Sequence, residues 1–149
     1  MIMIAYYCGL KTKYLKAVKL DDFIIDFKGD FYFYNNIYRD HPCRIDLPEK
    51  VKDVYLKIKE ESKSEHSHIF VDSKGELYYD RYFTRIFERA CERAGVKKYA
   101  PKDFRHTCIY NYIEENGIDD KNICYMFNWS RNNVKRMYEV LFKKNNKAI

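Results

Sequence analysis

The stretch that decides the fold is Pro101-Lys102-Asp103-Phe104-Arg105-His106-Thr107. Apolar residues recur at helical spacing after its start, which predicts the first turns of an amphipathic helix. Lys102, Arg105 and His106 are expected on the face opposite to the buried side, where they can converge on a phosphate. Taken alone, such a run is usually a solvated helix face.

A tyrosine and a tryptophan follow this stretch at defined distances. Tyr138 lies 33 residues after Arg105 and nine residues after Trp129, and Ser130 is a suitable N-cap for the helix that carries Tyr138. Tyrosines are most often core residues, and this chain has 15 of them. Tyr138 is therefore a candidate functional residue only because its distances in sequence from Arg105 and from Trp129 agree with other motifs of the chain.

The carboxyl-terminal end of the chain is basic. From Lys121 to Ile149 there are seven Lys or Arg and one acid, and the net charge of the whole chain is +6. Arg131, Lys135 and Arg136 belong to the segment that leads to Tyr138 and are the candidate contacts with a polyanionic partner. Such asymmetry suits a polyanionic partner, although it is also common on solvated surfaces.

A small sheet is predicted near the amino terminus. β-Branched and aromatic residues at 23–27 and 31–34 flank the turn Lys28-Gly29-Asp30, a pattern typical of a β-hairpin. A third strand is expected from about Cys43 to Leu47, closed by Pro48. It precedes a helical pattern formed by Val51, Val54, Tyr55 and Ile58.

Further helices are predicted along the rest of the chain. The strongest pattern runs from Tyr79 to Ala94 and ends at Gly95; shorter ones follow Arg105, surround Ile123 and contain Tyr138. The predicted fold class is α+β, mostly α-helical, with a small three-stranded antiparallel sheet near the amino terminus. At 149 residues we expect one domain over 1–149.

Composition excludes several classes of protein. Hydrophobic residues make up 46 % and charged residues 34 % of the chain, and no apolar run has the length of a membrane span, so we expect a cytoplasmic protein. The five scattered cysteines predict reduced thiols. His66 and His68 are expected in a solvated loop rather than in a metal site, and no glycine-rich phosphate loop predicts a cofactor.

These motifs, in this order, resemble the catalytic domain of the tyrosine recombinases, the phage-integrase family. The usual block of that family reads His/Lys-x-x-Arg-His-Thr, then Leu-Gly-His/Trp-Ser-Ser, then a tyrosine nine residues past the His or Trp. Gly9-Leu10 and the Arg-x-x-x-Leu-Pro ending at 44–48 also match, with the exact letters Arg44-Ile45-Asp46-Leu47-Pro48. The resemblance therefore extends over nearly the whole chain.

The resemblance implies a site-specific recombinase or integrase that cleaves and rejoins DNA through a 3′-phosphotyrosyl intermediate. Tyr138 would be the nucleophile and Arg105 the main phosphate ligand. His106, Lys102 and Trp129 would add donors or packing, and no cofactor or metal is implied. The family acts as a tetramer on double-stranded DNA, so a homo-oligomer is expected. Its amino-terminal, DNA-clasping domain has no counterpart in these 149 residues and could be a separate partner.

Two positions depart from the family pattern. Lys11 stands where the first catalytic arginine is expected, and Arg39 aligns with the catalytic lysine by counting back five residues from Arg44. Both keep a positive charge, but Lys11 loses the two-pronged geometry of arginine, and Arg39 is a poor proton donor. The two cations could have exchanged places around one phosphate, or activity could be weakened.

Three functions stay open on these grounds. The first is a working DNA strand transferase. The second is a catalytically weakened, DNA-binding remnant of an integrase, which the Lys11 and Arg39 departures favour. The third is a topoisomerase-like activity that nicks and closes DNA without a particular target site, since the chemistry is shared.

Overall fold

A computed structural model describes residues 1–36, 42–62, 68–117 and 120–145. The elements in chain order are α1 (Ile2–Cys8), α2 (Thr12–Leu15), a 3-10 turn (Leu20–Asp22), β1 (Phe23–Ile25), β2 (Phe31–Asn35), β3 (Cys43–Asp46), α3 (Glu49–Glu61), α4 (Asp80–Arg93), α5 (Pro101–Asn116), α6 (Asp120–Phe127) and α7 (Arg131–Asn145). The chain forms two compact units, residues 1–108 and 109–149, which are described separately.

The sheet of the first unit is antiparallel throughout, in the order β1-β2-β3. Phe23 is opposite Phe33 in the first pair of strands, and Phe33 is opposite Ile45 in the second. Because successive side chains in a strand point to opposite faces, Phe31 and Phe33 both lie on the buried face of β2. This register places an aromatic row in the core of the first unit.

Aromatic rings from the sheet and α3 form the centre of that core. The ring of Phe23 lies 5.2 Å from that of Phe33 and 5.3 Å from that of Tyr55, and the rings of Phe31 and Tyr55 are also 5.2 Å apart. These centroid distances are within the range of favourable aromatic pairs. The sheet is therefore held against α3 by ring packing.

Helix α4 buries residues four apart, Phe83, Phe87 and Cys91, which form one apolar stripe. Its end is closed at Gly95, as predicted. The left-handed backbone of Gly95, with φ 65°, lets the Val96 N–H reach the carbonyl of Cys91 at 3.0 Å. The ring of Phe87 meets that of Phe104 edge to face at 4.9 Å, so α4 packs directly on the start of α5.

The start of α5 is set by its own sequence. Pro101 occupies the first helical position, where a missing N–H does no harm. The Asp103 carboxylate accepts a hydrogen bond from the Ala100 N–H at 2.7 Å, which satisfies a donor that the helix leaves open. This cap fixes where the Lys-x-x-Arg-His run enters the helix.

The second unit contains the end of α5 together with α6 and α7. Ile109, Ile113, Ile123, Phe127 and Val134 are its buried apolar residues. The Ser130 hydroxyl oxygen accepts a hydrogen bond from the Asn133 N–H at 3.3 Å, which confirms the predicted N-cap of α7.

The predicted fold class is confirmed: helices dominate, and the three-stranded antiparallel sheet lies near the amino terminus. Boundaries differ slightly, since β1 ends at Ile25 and β3 at Asp46. No disulfide joins any of the five cysteines, all of which lie in the described ranges, and burial raises the pKa of the Cys8 thiol well above its usual range.

None of the helices in the described ranges is long and apolar enough to span a bilayer. The single domain and the cytoplasmic location stay predictions.

We expect Phe33→Ala to lower the free energy of unfolding by about 3–5 kcal/mol, because Phe33 is 0 % exposed and its removal leaves a cavity beside the Phe23 ring. Phe27→Ala is the matched control, since Phe27 lies in the turn between β1 and β2 and is 94 % exposed. Its effect should stay within about 0.5 kcal/mol. Urea unfolding followed by far-ultraviolet circular dichroism measures both, and equal losses would contradict the assigned register.

Candidate active site

The Arg105 side chain lies in the interior of the first unit. It is 4 % exposed, and its Nη1 donates a hydrogen bond to the Gly9 carbonyl oxygen. Gly9 ends α1 in the left-handed region, with φ 58° and ψ 28°, a conformation that suits glycine. The bond therefore ties the end of α1 to the first turns of α5.

The burial of Arg105 corrects the sequence prediction, which placed it on the exposed face of α5. It lies instead on the same side as Pro101, Cys108 and Ile109, all of them buried. A guanidinium can occupy such a position because the Gly9 carbonyl replaces part of its hydration. Arg105 is thus a fixed charge with one donor committed to the protein backbone.

Lys11 lies beside Arg105, two residues after the Gly9 carbonyl. Its side chain is half-buried, and burial lowers the pKa of its ammonium group, with the positive charge of Arg105 as the next cause. Among the residues that the structure describes, no carboxylate forms an ion pair with Lys11. Two neighbouring cations in this setting favour an anion between or beside them.

Lys102 extends the positive region along α5, and the His106 ring lies next to Arg105. Both side chains are exposed for the most part. Partial burial of the His106 ring lowers its pKa below the usual value of about 6.5, and the charge of Arg105 acts in the same direction. Lys102 also lowers this pKa, whereas Asp103 raises it. We call Lys11, Lys102, Arg105 and His106 the Arg105 cluster.

Trp129 and Tyr138 belong to the second unit. Asn128 has a positive φ of 46°, and the Trp129 N–H then donates to the Cys124 carbonyl at 3.2 Å, which ends α6. The Trp129 side chain is half-buried, and the backbone of Tyr138 lies within α7. Their assignment as packing residue and nucleophile stays a prediction.

Other predicted residues divide into two groups. Arg131, Lys135 and Arg136 are exposed on α7, as a DNA contact requires. Arg39 lies outside the described residues, and so does His66. Within the described part of the chain, no group of three or more His, Cys, Asp or Glu residues could hold a metal ion.

Sequence reasoning missed four arginines on α4: Arg81, Arg85, Arg89 and Arg93. All four side chains are exposed, and a spacing of four shifts each by only about 40° around a helix, so they share one side of α4. None forms an ion pair with any carboxylate of the described residues, although Glu88 and Glu92 share the helix. The regular spacing was the signal that could have identified them.

The fold of this chain is also found in solved recombinases. The chain is similar to the XerH site-specific recombinase bound to difH substrate in a pre-cleavage complex, with a TM-score of 0.70, 19 % identity and 93 % of this chain covered. It is similar to the XerA recombinase at a TM-score of 0.67 and 17 % identity over 96 % of this chain. For the Tn1549 transposon integrase in complex with transposon right end DNA, the TM-score is 0.63 and the identity 14 % over 92 %.

This chain spans 41 % of the XerH chain, 54 % of the XerA chain and 52 % of the Tn1549 integrase chain. A search of curated proteins returned no match. The model of the phage integrase family, in contrast, matches residues 1–145. The segment matched runs from α1 through the Arg105 cluster to the last residue of α7. On that match, this chain belongs to the phage integrase family.

Proposed function

We propose that this chain is the catalytic part of a site-specific DNA recombinase or integrase, which cleaves and rejoins strands through a 3′-phosphotyrosyl intermediate. The observation that carries the proposal is the buried Arg105 guanidinium, fixed to the Gly9 carbonyl with Lys11 and His106 beside it. This is a preorganised site for one phosphate, in a chain of the integrase family.

In the proposed reaction, the phenolic oxygen of Tyr138 attacks the scissile phosphorus. The bond between phosphorus and the 5′ oxygen breaks, and the strand stays attached to Tyr138 through its 3′ phosphate. An incoming 5′ hydroxyl reverses the step on the same or another strand. The phosphodiester energy is conserved in the tyrosyl link, so the cycle needs no external energy source.

The Arg105 cluster would stabilise the charge that develops on the non-bridging oxygens. A guanidinium presents several N–H donors in one plane, and the bond to Gly9 orients that plane. Because the guanidinium is fixed before the phosphate arrives, no reorganisation is needed in the transition state. Lys102 and the indole N–H of Trp129 would supply further donors.

His106 would accept the phenolic proton of Tyr138. A lowered pKa keeps the imidazole neutral at neutral pH, and a neutral imidazole has one acceptor nitrogen. The positive charges around it oppose protonation, so its acceptor form persists into mildly acidic solution.

The DNA surface would include the arginines of α4 together with Arg131, Lys135 and Arg136 of α7. Exposed arginines that form no ion pair with described carboxylates are available to phosphates. Since the chain spans about half of the recombinases to which it is similar, a further DNA-clasping domain would complete the grip. Assembly as a homotetramer on two duplexes belongs to the same proposal.

One observation favours the second candidate, a DNA-binding remnant with weakened catalysis. Lys11, and not arginine, stands beside Arg105, and loss of one preorganised donor lowers rates by about 10²–10³-fold. Binding of DNA without any covalent adduct would support this candidate.

We expect wild-type protein mixed with supercoiled DNA and stopped with detergent to give a covalent protein–DNA adduct on a denaturing gel. Tyr138→Phe should abolish the adduct, because phenylalanine has no nucleophilic oxygen. Tyr125→Phe is the matched control, since Tyr125 is an exposed tyrosine of α6 in the same unit. An adduct that survives in Tyr138→Phe, or disappears equally in Tyr125→Phe, would refute the assignment.

The pH dependence of adduct formation should follow the protonation of the His106 imidazole. With saturating protein, the rate is expected to rise between pH 5 and neutrality with a midpoint below about 6.5, because the neutral imidazole is the active form. His106→Gln should lower the plateau by roughly 10²-fold or more and remove this limb. If the limb persists in His106→Gln, another group accepts the proton.

Salt dependence of DNA binding tests the arginine row of α4. Arg85→Ala and Arg89→Ala should each weaken binding and reduce the slope of log K against log salt by roughly one. Arg44→Ala is the control, because Arg44 is already paired with Asp26, Asp30 and Asp46 at 3.6, 3.5 and 2.6 Å. Slopes that change equally in all three variants would show that α4 does not contact DNA.

A further inference from the structure

We propose that Lys11 is the acid of the cleavage step, the residue whose ammonium gives a proton to the 5′ oxygen as it leaves the phosphorus. This assigns Lys11 a role that an arginine at the same position could not perform. The inference rests on the proposed function. It gives a catalytic role to the lysine that stands where the family pattern has an arginine.

The reaction needs such a residue for a simple chemical reason. When the bond between phosphorus and the 5′ oxygen breaks, its electron pair stays on an alkoxide, which is a strong base and a poor leaving group. A proton delivered during bond breaking removes this barrier, and such transfer contributes about 10²–10⁴-fold in rate. In rejoining, the neutral amine takes the proton back from the attacking 5′ hydroxyl, so that the two half-reactions balance.

The backbone holds Lys11 firmly beside the phosphate site. Leu10 is buried in the core, and the Gly9 carbonyl before it accepts from Arg105. The Lys11 carbonyl itself accepts hydrogen bonds from the Tyr14 N–H at 2.8 Å and the Leu15 N–H at 3.3 Å. These bonds fix the backbone at Lys11 two residues from the Gly9–Arg105 contact, so its side chain starts from a defined position next to Arg105.

The surroundings of Lys11 also make its proton easier to transfer. Burial, followed by the Arg105 charge, lowers the pKa of the ammonium group, and Tyr14 opposes them in part. No carboxylate in the described ranges forms an ion pair with Lys11. Lysine is the basic side chain that responds to such surroundings. Its pKa moves toward the range in which general acids are efficient.

The other members of the Arg105 cluster are less suited to this task. A guanidinium does not act as a proton donor in proteins, which excludes Arg105 from this task. His106 has a lowered pKa and is neutral at neutral pH, so it has no easily transferred proton. Lys102 is exposed at the start of α5, where water competes for any contact.

The test replaces the leaving oxygen by sulfur. The scissile phosphate is first mapped from the wild-type adducts on plasmid DNA, and two duplex oligonucleotides are made with either oxygen or sulfur at the bridging 5′ position. A thiolate is a far weaker base than an alkoxide and leaves without a proton. Adduct rates are measured for wild type, Lys11→Arg and Lys11→Met, with Lys13→Arg and Lys13→Met as matched controls on the exposed side of α2.

Lys11→Arg and Lys11→Met should form adduct on the oxygen duplex at least about 10²-fold more slowly than wild type, and on the sulfur duplex within about threefold of it. Both Lys13 variants should match wild type on both duplexes. Arg105→Lys should be slow on both, because the charge that Arg105 stabilises is present with either leaving group. Circular dichroism checks that each variant is folded.

Several results would overturn the proposal. Lys11→Arg that equals or exceeds wild type on oxygen would show that an arginine serves better at this position. Lys11 variants that are slow on both duplexes would make Lys11 a charge and not an acid. A wild-type protein that reacts with sulfur but not oxygen would lack an acid altogether. Absence of any wild-type adduct would instead refute the proposed function, and this inference with it.

Discussion

The arrangement of the candidate site depends on one hydrogen bond, which the buried Arg105 guanidinium donates to the Gly9 carbonyl. A charged group that is 4 % exposed is stable only when its donors are satisfied, so this position of α5 constrains the end of α1. Gly9 meets the constraint by adopting a left-handed conformation that turns its carbonyl toward Arg105. The two segments lie 96 residues apart in sequence, and the bond joins them into one unit.

The same interaction explains the electrostatics of the cluster. A guanidinium held in place and partly stripped of water projects its charge onto its neighbours more strongly than an exposed one would. Burial is the largest cause of the lowered pKa values of Lys11 and His106, and the charge of Arg105 is the second cause for both groups. The cluster is therefore destabilised by its own charges when it is empty. An anion beside these cations would relieve that repulsion.

Much of the fold could be predicted from the sequence because local chemistry dictated it. Alternating aromatic residues specified the hairpin, Gly95 and Ser130 marked helix ends, and the apolar spacing of α4 identified its buried stripe. The burial of Arg105 could not be predicted, since its partner is a backbone carbonyl that no sequence pattern specifies. The arginines of α4 recur every four residues, which is also the spacing of its apolar stripe. The apolar stripe predicts only how the helix packs, so it gives no function for the arginines.

The chemistry of the Arg105 cluster depends on the difference between an arginine guanidinium and a lysine ammonium group. An arginine in place of Lys11 would add a second permanently charged fork, able to bind phosphate oxygens but unable to release a proton. A lysine ammonium group binds phosphate with less defined geometry, but it can release and take up a proton as its surroundings change. Arg105 already supplies the fixed charge, and it does so next to Lys11, where it makes that exchange easier. If Lys11 is the acid, as we propose, Lys11 and Arg105 divide the two tasks of proton donation and charge stabilisation between them.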